Sequence, residues 1–119
     1  MPGFPFNGST VISSKEAMIL EKQPKSMVII GAGAIGVEFA YIYNAFGTEV
    51  TIIEMMPNLL PVEDDDVSDA ITKSYRKAGI NCLTDTKVTG TRDNGSSVTI
   101  TVENSSGTKE ITADCCLVA

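Results

Sequence analysis

The stretch Met27-Val28-Ile29-Ile30-Gly31-Ala32-Gly33-Ala34-Ile35-Gly36-Val37-Glu38 constrains this chain more than any other. An apolar run leads directly into Gly-x-Gly-x-x-Gly and then into a helical pattern, so a buried strand must turn sharply into a helix. Gly31 lets the chain leave the strand, Gly33 lets a ligand approach the backbone, and Gly36 lets the helix pack closely on the sheet. A second apolar strand, Glu49 to Ile53, is followed by Glu54, eighteen residues beyond Gly36, where a dinucleotide-binding unit carries an acid. A glycine turn by itself only makes a tight corner. Strand, helix and spaced acid together favour a pyrophosphate site, held by the unsatisfied N–H groups and positive dipole end of the helix. No Lys or Arg stands in the turn, and that geometry needs none.

Glu54 also bears on which dinucleotide is bound. A carboxylate there accepts hydrogen bonds from the adenosine ribose hydroxyls and repels a 2′-phosphate, for which NADP sites use Arg. Between Met55 and Thr72 there is no Lys or Arg, and Glu63, Asp64, Asp65 and Asp66 make the region acidic, so NAD is favoured over NADP. At any other spacing Glu54 would be read as a solvated strand-end carboxylate.

With 119 residues there is room for one domain with a modest core. A net charge of −6 and the absence of His leave no basic footprint for nucleic acid or an anionic membrane. No apolar run reaches membrane-spanning length, and the N-terminus lacks the basic start of a signal peptide. The expectation is a soluble intracellular protein, cytoplasmic or in an organelle matrix. The three cysteines, Cys82, Cys115 and Cys116, have no metal-ligand spacing and read as small core residues in a reducing compartment. Adjacent Cys115 and Cys116 should point to opposite faces of a buried strand. Without His, no Cys-His or Ser-His pair can be assembled.

Residues 1 to 24 are rich in Pro, Gly, Ser and Asn and read as a connector with a helical candidate over Ser14 to Leu20. Ser26 to Ile30 is the first strand. A helix should follow from Ala34 to Phe46, with Ile35, Phe39, Ile42 and Phe46 as its stripe and Gly47 as its left-handed end. A loop from Met55 leads to a second helix capped by Asp64, Asp65 and Asp66. On it Val67, Ala70, Ile71, Ser74, Tyr75 and Ala78 recur, and it stops at Gly79. That explains the acidic run structurally, so no metal site is assigned, and Tyr75 reads as core. After a third strand, Ile80 to Thr84, Thr, Val and Ile alternate between turn signals at Asp93-Asn94-Gly95 and Asn104-Ser105-Ser106-Gly107. The fold class is α/β: a Rossmann-like parallel sheet with flanking helices and a three-stranded antiparallel β-meander in place of a third helix. The chain closes on a central strand at Cys116-Leu117-Val118-Ala119, whose abrupt stop suggests a fragment.

With these features placed, the sequence resembles the NAD-binding domain of dihydrolipoamide dehydrogenase in the pyridine nucleotide-disulfide oxidoreductase family, of FAD/NAD(P)-binding type. Val-Ile-Ser-Ser (11 to 14) with Ala17 and Leu20 is similar to the family's connector between FAD and NAD domains. Val-Ile-Ile-Gly-Ala-Gly-Ala-Ile-Gly-Val-Glu-Phe-Ala, Thr-Glu-Val-Thr-Ile-Ile-Glu (48 to 54), Thr-Lys-Val (86 to 88) and Ala-Asp-x-x-Leu-Val-Ala (113 to 119) continue the likeness. The resemblance implies a connector over 1 to 24 from an absent FAD domain and an NAD-binding domain over 25 to 119. It implies that Gly31, Ala32, Gly33, Ala34, Ile35, Gly36 and Val37 form the pyrophosphate turn, that Glu54 holds the adenosine ribose, and that Val88 lies beside the adenine. Glu38 would lie near the nicotinamide; read from its residues alone it is an ordinary solvent-facing first-turn Glu favoured by the helix dipole.

The chain lacks the family's FAD fingerprint, its Cys-x-x-x-x-Cys redox-active centre and its C-terminal interface domain with a His-Glu dyad, so by itself it should not catalyse. In a complete enzyme the resemblance implies that reduced lipoamide passes electrons through a disulfide and FAD to NAD. That enzyme would be a homodimer serving 2-oxo acid dehydrogenase complexes and cell redox homeostasis. Related NADH oxidases, peroxidases and mercuric reductases carry similar NAD domains. A non-enzymatic NAD-sensing Rossmann module is the alternative of another class.

Overall fold

A computed structural model describes residues 11–13, 24–56, 59 and 64–119 of the chain. The helical candidate over Ser14 to Leu20 and the acidic residue Glu63 lie outside the described residues. Among the described residues eight strands and two helices follow in order: β1 (Val11–Ser13), β2 (Ser26–Ile30), α1 (Ala34–Ala45), β3 (Glu49–Ile53), α2 (Asp65–Lys77), β4 (Asn81–Leu83), β5 (Lys87–Asp93), β6 (Val98–Asn104), β7 (Gly107–Ala113) and β8 (Cys115–Val118). Five strands form one sheet in the order β1-β8-β2-β3-β4, every pair parallel. The other three form the antiparallel meander β5-β6-β7.

The period of two along each central strand divides the core. Met27 and Ile29 of β2, with Cys115 and Leu117 of β8, face the helices, where Val37, Ala40, Tyr43, Val50 and Ile52 complete a cluster. Val28, Ile30, Cys116 and Val118 face the other way, against Val98, Ile100 and Val102 of β6. Both helices therefore pack on one face of the parallel sheet, and the meander covers the other. Strands buried on both faces need no polar alternation, which is why β2 and β8 read as unbroken apolar runs. Each fully buried Val, Ile or Leu contributes roughly 1.5–3 kcal/mol. The vicinal cysteines divide as expected, one to each face.

β1 lies within the stretch read as a connector, yet it is the edge strand of the main sheet, with Val11 opposite Cys116 and Ile12 opposite Leu117. Both helices end just before their expected glycines, and Gly47 and Gly79 take positive φ.

The helix faces need correction. Of the stripe expected on α1 only Phe39 packs against the core: Ile35, Ile42 and Phe46 are 54%, 38% and 68% exposed. Gly36, Val37, Ala40 and Tyr43 face the core instead. At Gly36 α1 lies so close to Gly31 and Ala119 that no side chain fits, and a helix apolar nearly all round gives its periodicity no face to choose. On α2 the inward face is Ser68, Ile71, Thr72 and Tyr75, while Val67, Ala70, Ser74 and Ala78 are exposed. Two hydroxyl residues occupy the interior because Thr72 Oγ1 donates to the Ser68 carbonyl (2.8 Å) and accepts from the Leu59 N–H (3.2 Å), anchoring Leu59 to the helix. Tyr75 packs against the core, and its hydroxyl donates to the Val37 carbonyl at 2.9 Å, tying α2 to α1.

Candidate functional site

The site begins where β2 ends. Gly31 turns with φ +98°, and a side chain there would be strained as well as crowded, 3.2 Å from the Ala119 carbonyl oxygen. The Gly31 N–H donates to the Ile53 carbonyl (2.9 Å), and the Ala119 N–H donates to the Ile30 carbonyl (3.0 Å), so the turn sits between the ends of β3 and β8. Ala32 is fully buried. Gly36 is buried too, and a Cβ there would press into the Gly31 carbonyl oxygen and lie 3.2 Å from Ala119 Cβ. Gly31 and Gly36 are thus explained by the protein's own packing.

Gly33 is not. Its φ and ψ of −72° and −177° suit any residue, it is exposed, and a Cβ built on it would meet nothing within 4 Å. It is the N-cap of α1 and carries no side chain to bind the first N–H groups of the helix, which have no intrahelical partners. Ala34 and Ile35 stand exposed on that first turn, and the first intrahelical bond runs from the Val37 N–H to the Gly33 carbonyl at 3.0 Å. The result is an exposed set of backbone donors at the positive end of a helix, with no Lys or Arg in the turn itself, suited to an anionic group.

Beside it lies a cleft of about 120 Å³ lined by Ile30, Gly31, Ile53, Glu54, Met55, Thr86 and Val88. It brings together three residues singled out from separate parts of the sequence: Gly31, Glu54 and Val88. Glu54 follows β3, and Val88 reaches the cleft from the meander because the link from β4 to β5 is stitched to Glu54. The Thr86 N–H donates to the Glu54 carbonyl (3.0 Å) and the Asp85 N–H to the Met56 carbonyl (3.0 Å), with Asp85 at φ +51°. Glu54 itself is half-buried: Oε1 accepts from the Ala32 N–H and Oε2 from the Met56 N–H, both at 2.9 Å. Val37 is turned into the core, and Glu38 is exposed on α1, outside this cleft.

Met55 and Thr86 were not singled out from the sequence. No periodicity marks a loop residue as a cleft wall, and only the Thr-Lys-Val stretch, in which Val88 alone was chosen, pointed near Thr86. A larger crevice of about 370 Å³ adjoins through the shared residues Met55 and Thr86, and it adds Asp85, Lys87 and Glu103. The structure therefore brings one Lys close to a region that is cation-free in the sequence, in a wall that also carries two carboxylates.

The cysteines are free and buried. Burial pushes the Cys115 and Cys116 thiols up to about 12, with Asp114 adding at Cys115 and Cys115 at Cys116, so neither supplies a thiolate near neutral pH. Among the described residues no group of three or more potential ligands is placed to hold a metal ion, and no helix is long and apolar enough to cross a membrane.

A parallel sheet with a glycine turn at the end of its first central strand, helices on one face and a meander on the other, is a Rossmann-like domain of the FAD/NAD(P)-binding type. Comparison with known proteins makes the assignment more specific. The Pyridine nucleotide-disulphide oxidoreductase family matches residues 1–119. Dihydrolipoyl dehydrogenase from Chlorobaculum tepidum is 42% identical over 121 residues, covering 100% of this chain and 26% of the relative. The enzyme of that name from Mycobacterium bovis is 43% identical over 106 residues, covering 89% of this chain and 23% of its own length. Among solved structures, the HOCl-induced flavoprotein disulfide reductase RclA from Escherichia coli superposes with a TM-score of 0.82 at 30% identity, over 100% of this chain and 27% of that one. LpdA from Mycobacterium tuberculosis gives a TM-score of 0.86 at 21% identity, a likeness of fold alone. The chain belongs to the pyridine nucleotide-disulphide oxidoreductase family, and it spans about a quarter of the length of the relatives it matches.

Proposed function

We propose that this chain is the NAD-binding domain of a dihydrolipoamide dehydrogenase, with residues 25–119 holding the nucleotide and residues 1–24 leading from an FAD domain. The observation that carries this reading is the cleft joining Gly31, Glu54 and Val88 beside the open backbone at Gly33. A glycine with an ordinary φ and no neighbour within 4 Å of its Cβ position among the described residues is accounted for by a ligand that passes over it. Gly31, Ala32 and Gly33 with the first turn at Ala34, Ile35 and Gly36 would cradle the pyrophosphate, and Val37 anchors that turn in the core. Glu54 would accept from the adenosine ribose hydroxyls, and Val88 would lie against the adenine. The Glu54 carboxylate disfavours a 2′-phosphate, which supports NAD over NADP; Lys87 is offset by Asp85 and Glu103 in the same wall.

Bound NAD supplies a hydride acceptor. The part of the chain is to bind and orient it, with Glu38 on the nicotinamide side of the helix start, while a flavin and a redox disulfide held by other domains deliver the electrons. The proposed protein is a cytoplasmic or organelle-matrix homodimer that serves a 2-oxo acid dehydrogenase complex. Supplied with dihydrolipoamide and NAD, the complete enzyme should form NADH, and failure to do so would overturn the substrate assignment. The similarity to the E. coli flavoprotein disulfide reductase favours a second reading, an NAD domain serving a different disulfide substrate. Under that reading NAD binds this chain as before and the lipoamide assay is negative.

A further inference from the structure

We infer that Glu54 is a positioning residue for the glycine turn as well as a partner of the ribose: its carboxylate staples the turn to the end of β3. Two adjacent bonds make the staple, the Gly31 N–H to the Ile53 carbonyl and the Ala32 N–H to Glu54 Oε1, each 2.9 Å. Glu54 can bear this because its main chain is fixed on both sides, its N–H donating to the Leu83 carbonyl (2.9 Å) and its carbonyl accepting from Thr86 (3.0 Å). The second oxygen closes the far side on the Met56 N–H, so the side chain has little freedom to swing away. The Ala32 peptide leads directly into Gly33, the residue whose open face suits a pyrophosphate. Fixing the one orients the other.

This deepens the NAD reading and rests on it for the ligand, but the staple belongs to the chain itself. A carboxylate offers about four acceptor sites, and two N–H groups use about half of them. Acceptors therefore remain for ribose hydroxyls, and the staple need not break when nucleotide binds. The same count gives a discriminating substitution. Glutamine keeps one acceptor oxygen and replaces the other with a group that only donates. Ribose hydroxyls both donate and accept, so they tolerate that exchange. The N–H groups of Ala32 and Met56 only donate, so one of them must face the new amide donor unpaired.

The test is Glu54→Gln in the 119-residue chain, titrated calorimetrically with NAD and with an analogue lacking the 2′ and 3′ hydroxyls of the adenosine ribose. Amide hydrogen exchange at Ala32 and Met56 is followed without ligand. The staple predicts that both ligands bind about 10- to 100-fold more weakly to the variant. It also predicts faster exchange at whichever of these two amides faces the new donor. Wild-type affinity for both ligands, or a loss confined to NAD and absent for the analogue, would overturn it. If wild type binds neither ligand, the NAD reading fails, and exchange at the two amides in the two proteins still decides the staple. If Glu54→Gln does not fold, Glu54→Asp, whose carboxylate is one methylene shorter, takes its place: faster exchange at Ala32 or Met56 supports the staple, and rates equal to wild type at both refute it.

Discussion

Replacing Gly33 by alanine should separate ligand binding from folding more sharply than any other single change. In the folded chain the added methyl meets nothing within 4 Å, and φ of −72° is ordinary for an L-residue, so there is no steric cost. Two small terms remain. Alanine is a poorer N-cap than glycine, which costs about 0.5–1 kcal/mol. It also stiffens the unfolded chain, which returns about 0.4–1 kcal/mol. They cancel to within about 0.5 kcal/mol, and the melting temperature should move by less than about 4 °C. Binding should respond differently, because the methyl would stand between the first-turn N–H groups and the phosphates they face. Losing or stretching one charge-assisted hydrogen bond costs about 1.5–3 kcal/mol, which raises the Kd for NAD by about 10- to 100-fold. Calorimetric titration paired with a thermal melt reads both. An unchanged Kd in a normally folded variant would show that no phosphate crosses Gly33, and the placement of the pyrophosphate would fail with it.

Gly36→Ala should give the opposite pattern, because its Cβ would press on the Gly31 carbonyl oxygen and on Ala119. The overpacking should cost about 1–3 kcal/mol and lower the melting temperature by roughly 5–20 °C; a melt within about 2 °C of wild type would show that the helix can stand off from the turn at little cost. Stability should also fall in alkali. The folded values of the Cys115 and Cys116 thiols are raised from 9.0 to about 12, so the folded chain keeps protons that the unfolded chain releases. Their contribution is complete below pH 9 and is lost as pH climbs from 9 toward 12, by up to about 1.4 kcal/mol per pH unit for each thiol. The urea midpoint should drop between pH 8 and pH 10.5 and drop less steeply in Cys116→Ala, whereas equal slopes in the two proteins would contradict the buried-thiol account.

How far the sequence reveals this molecule depends on how local each cause is. The central strands, the turn and the meander were legible because their signals lie within a few residues: the apolar runs of β2 and β8, the glycines, and the turn signals at Asp93-Asn94-Gly95 and Asn104 to Gly107; β1 was not, because three residues pair only through the distant β8. The inward faces of the helices were not. At α1 the decisive fact is the closeness of Gly36 to Gly31 and Ala119, and Ala119 is 83 residues away in the chain (119 less 36). At α2 it is the hydrogen-bonding need of Leu59, which places Thr72 inside where hydropathy would place Val67. The same distinction runs through the site. Glu54 was legible from spacing, whereas its bonds to Ala32 and Met56, and the walls supplied by Met55 and Thr86, arise only once β3 and the link from β4 to β5 lie side by side.

Strand order gives an independent reason for the site to lie where it does. From β2 the chain proceeds outward through β3 to β4, then makes the meander and returns on the opposite side of β2 as β8. The direction of winding therefore reverses between β2 and β8, and in open α/β sheets ligands bind in the crevice beyond the carboxyl ends of the strands at such a reversal. The carboxyl ends of these two strands are Ile30 and Val118, and the residues just past them, Gly31 and Ala119, lie against one another there. The cleft lined by Gly31 opens beside this point, and Glu54 and Met55 extend its wall past the end of the next strand. The meander contributes Val88 because it is inserted on the path between the two winding directions. Topology and glycine chemistry, which share no premise, thus converge on the same few ångströms of surface.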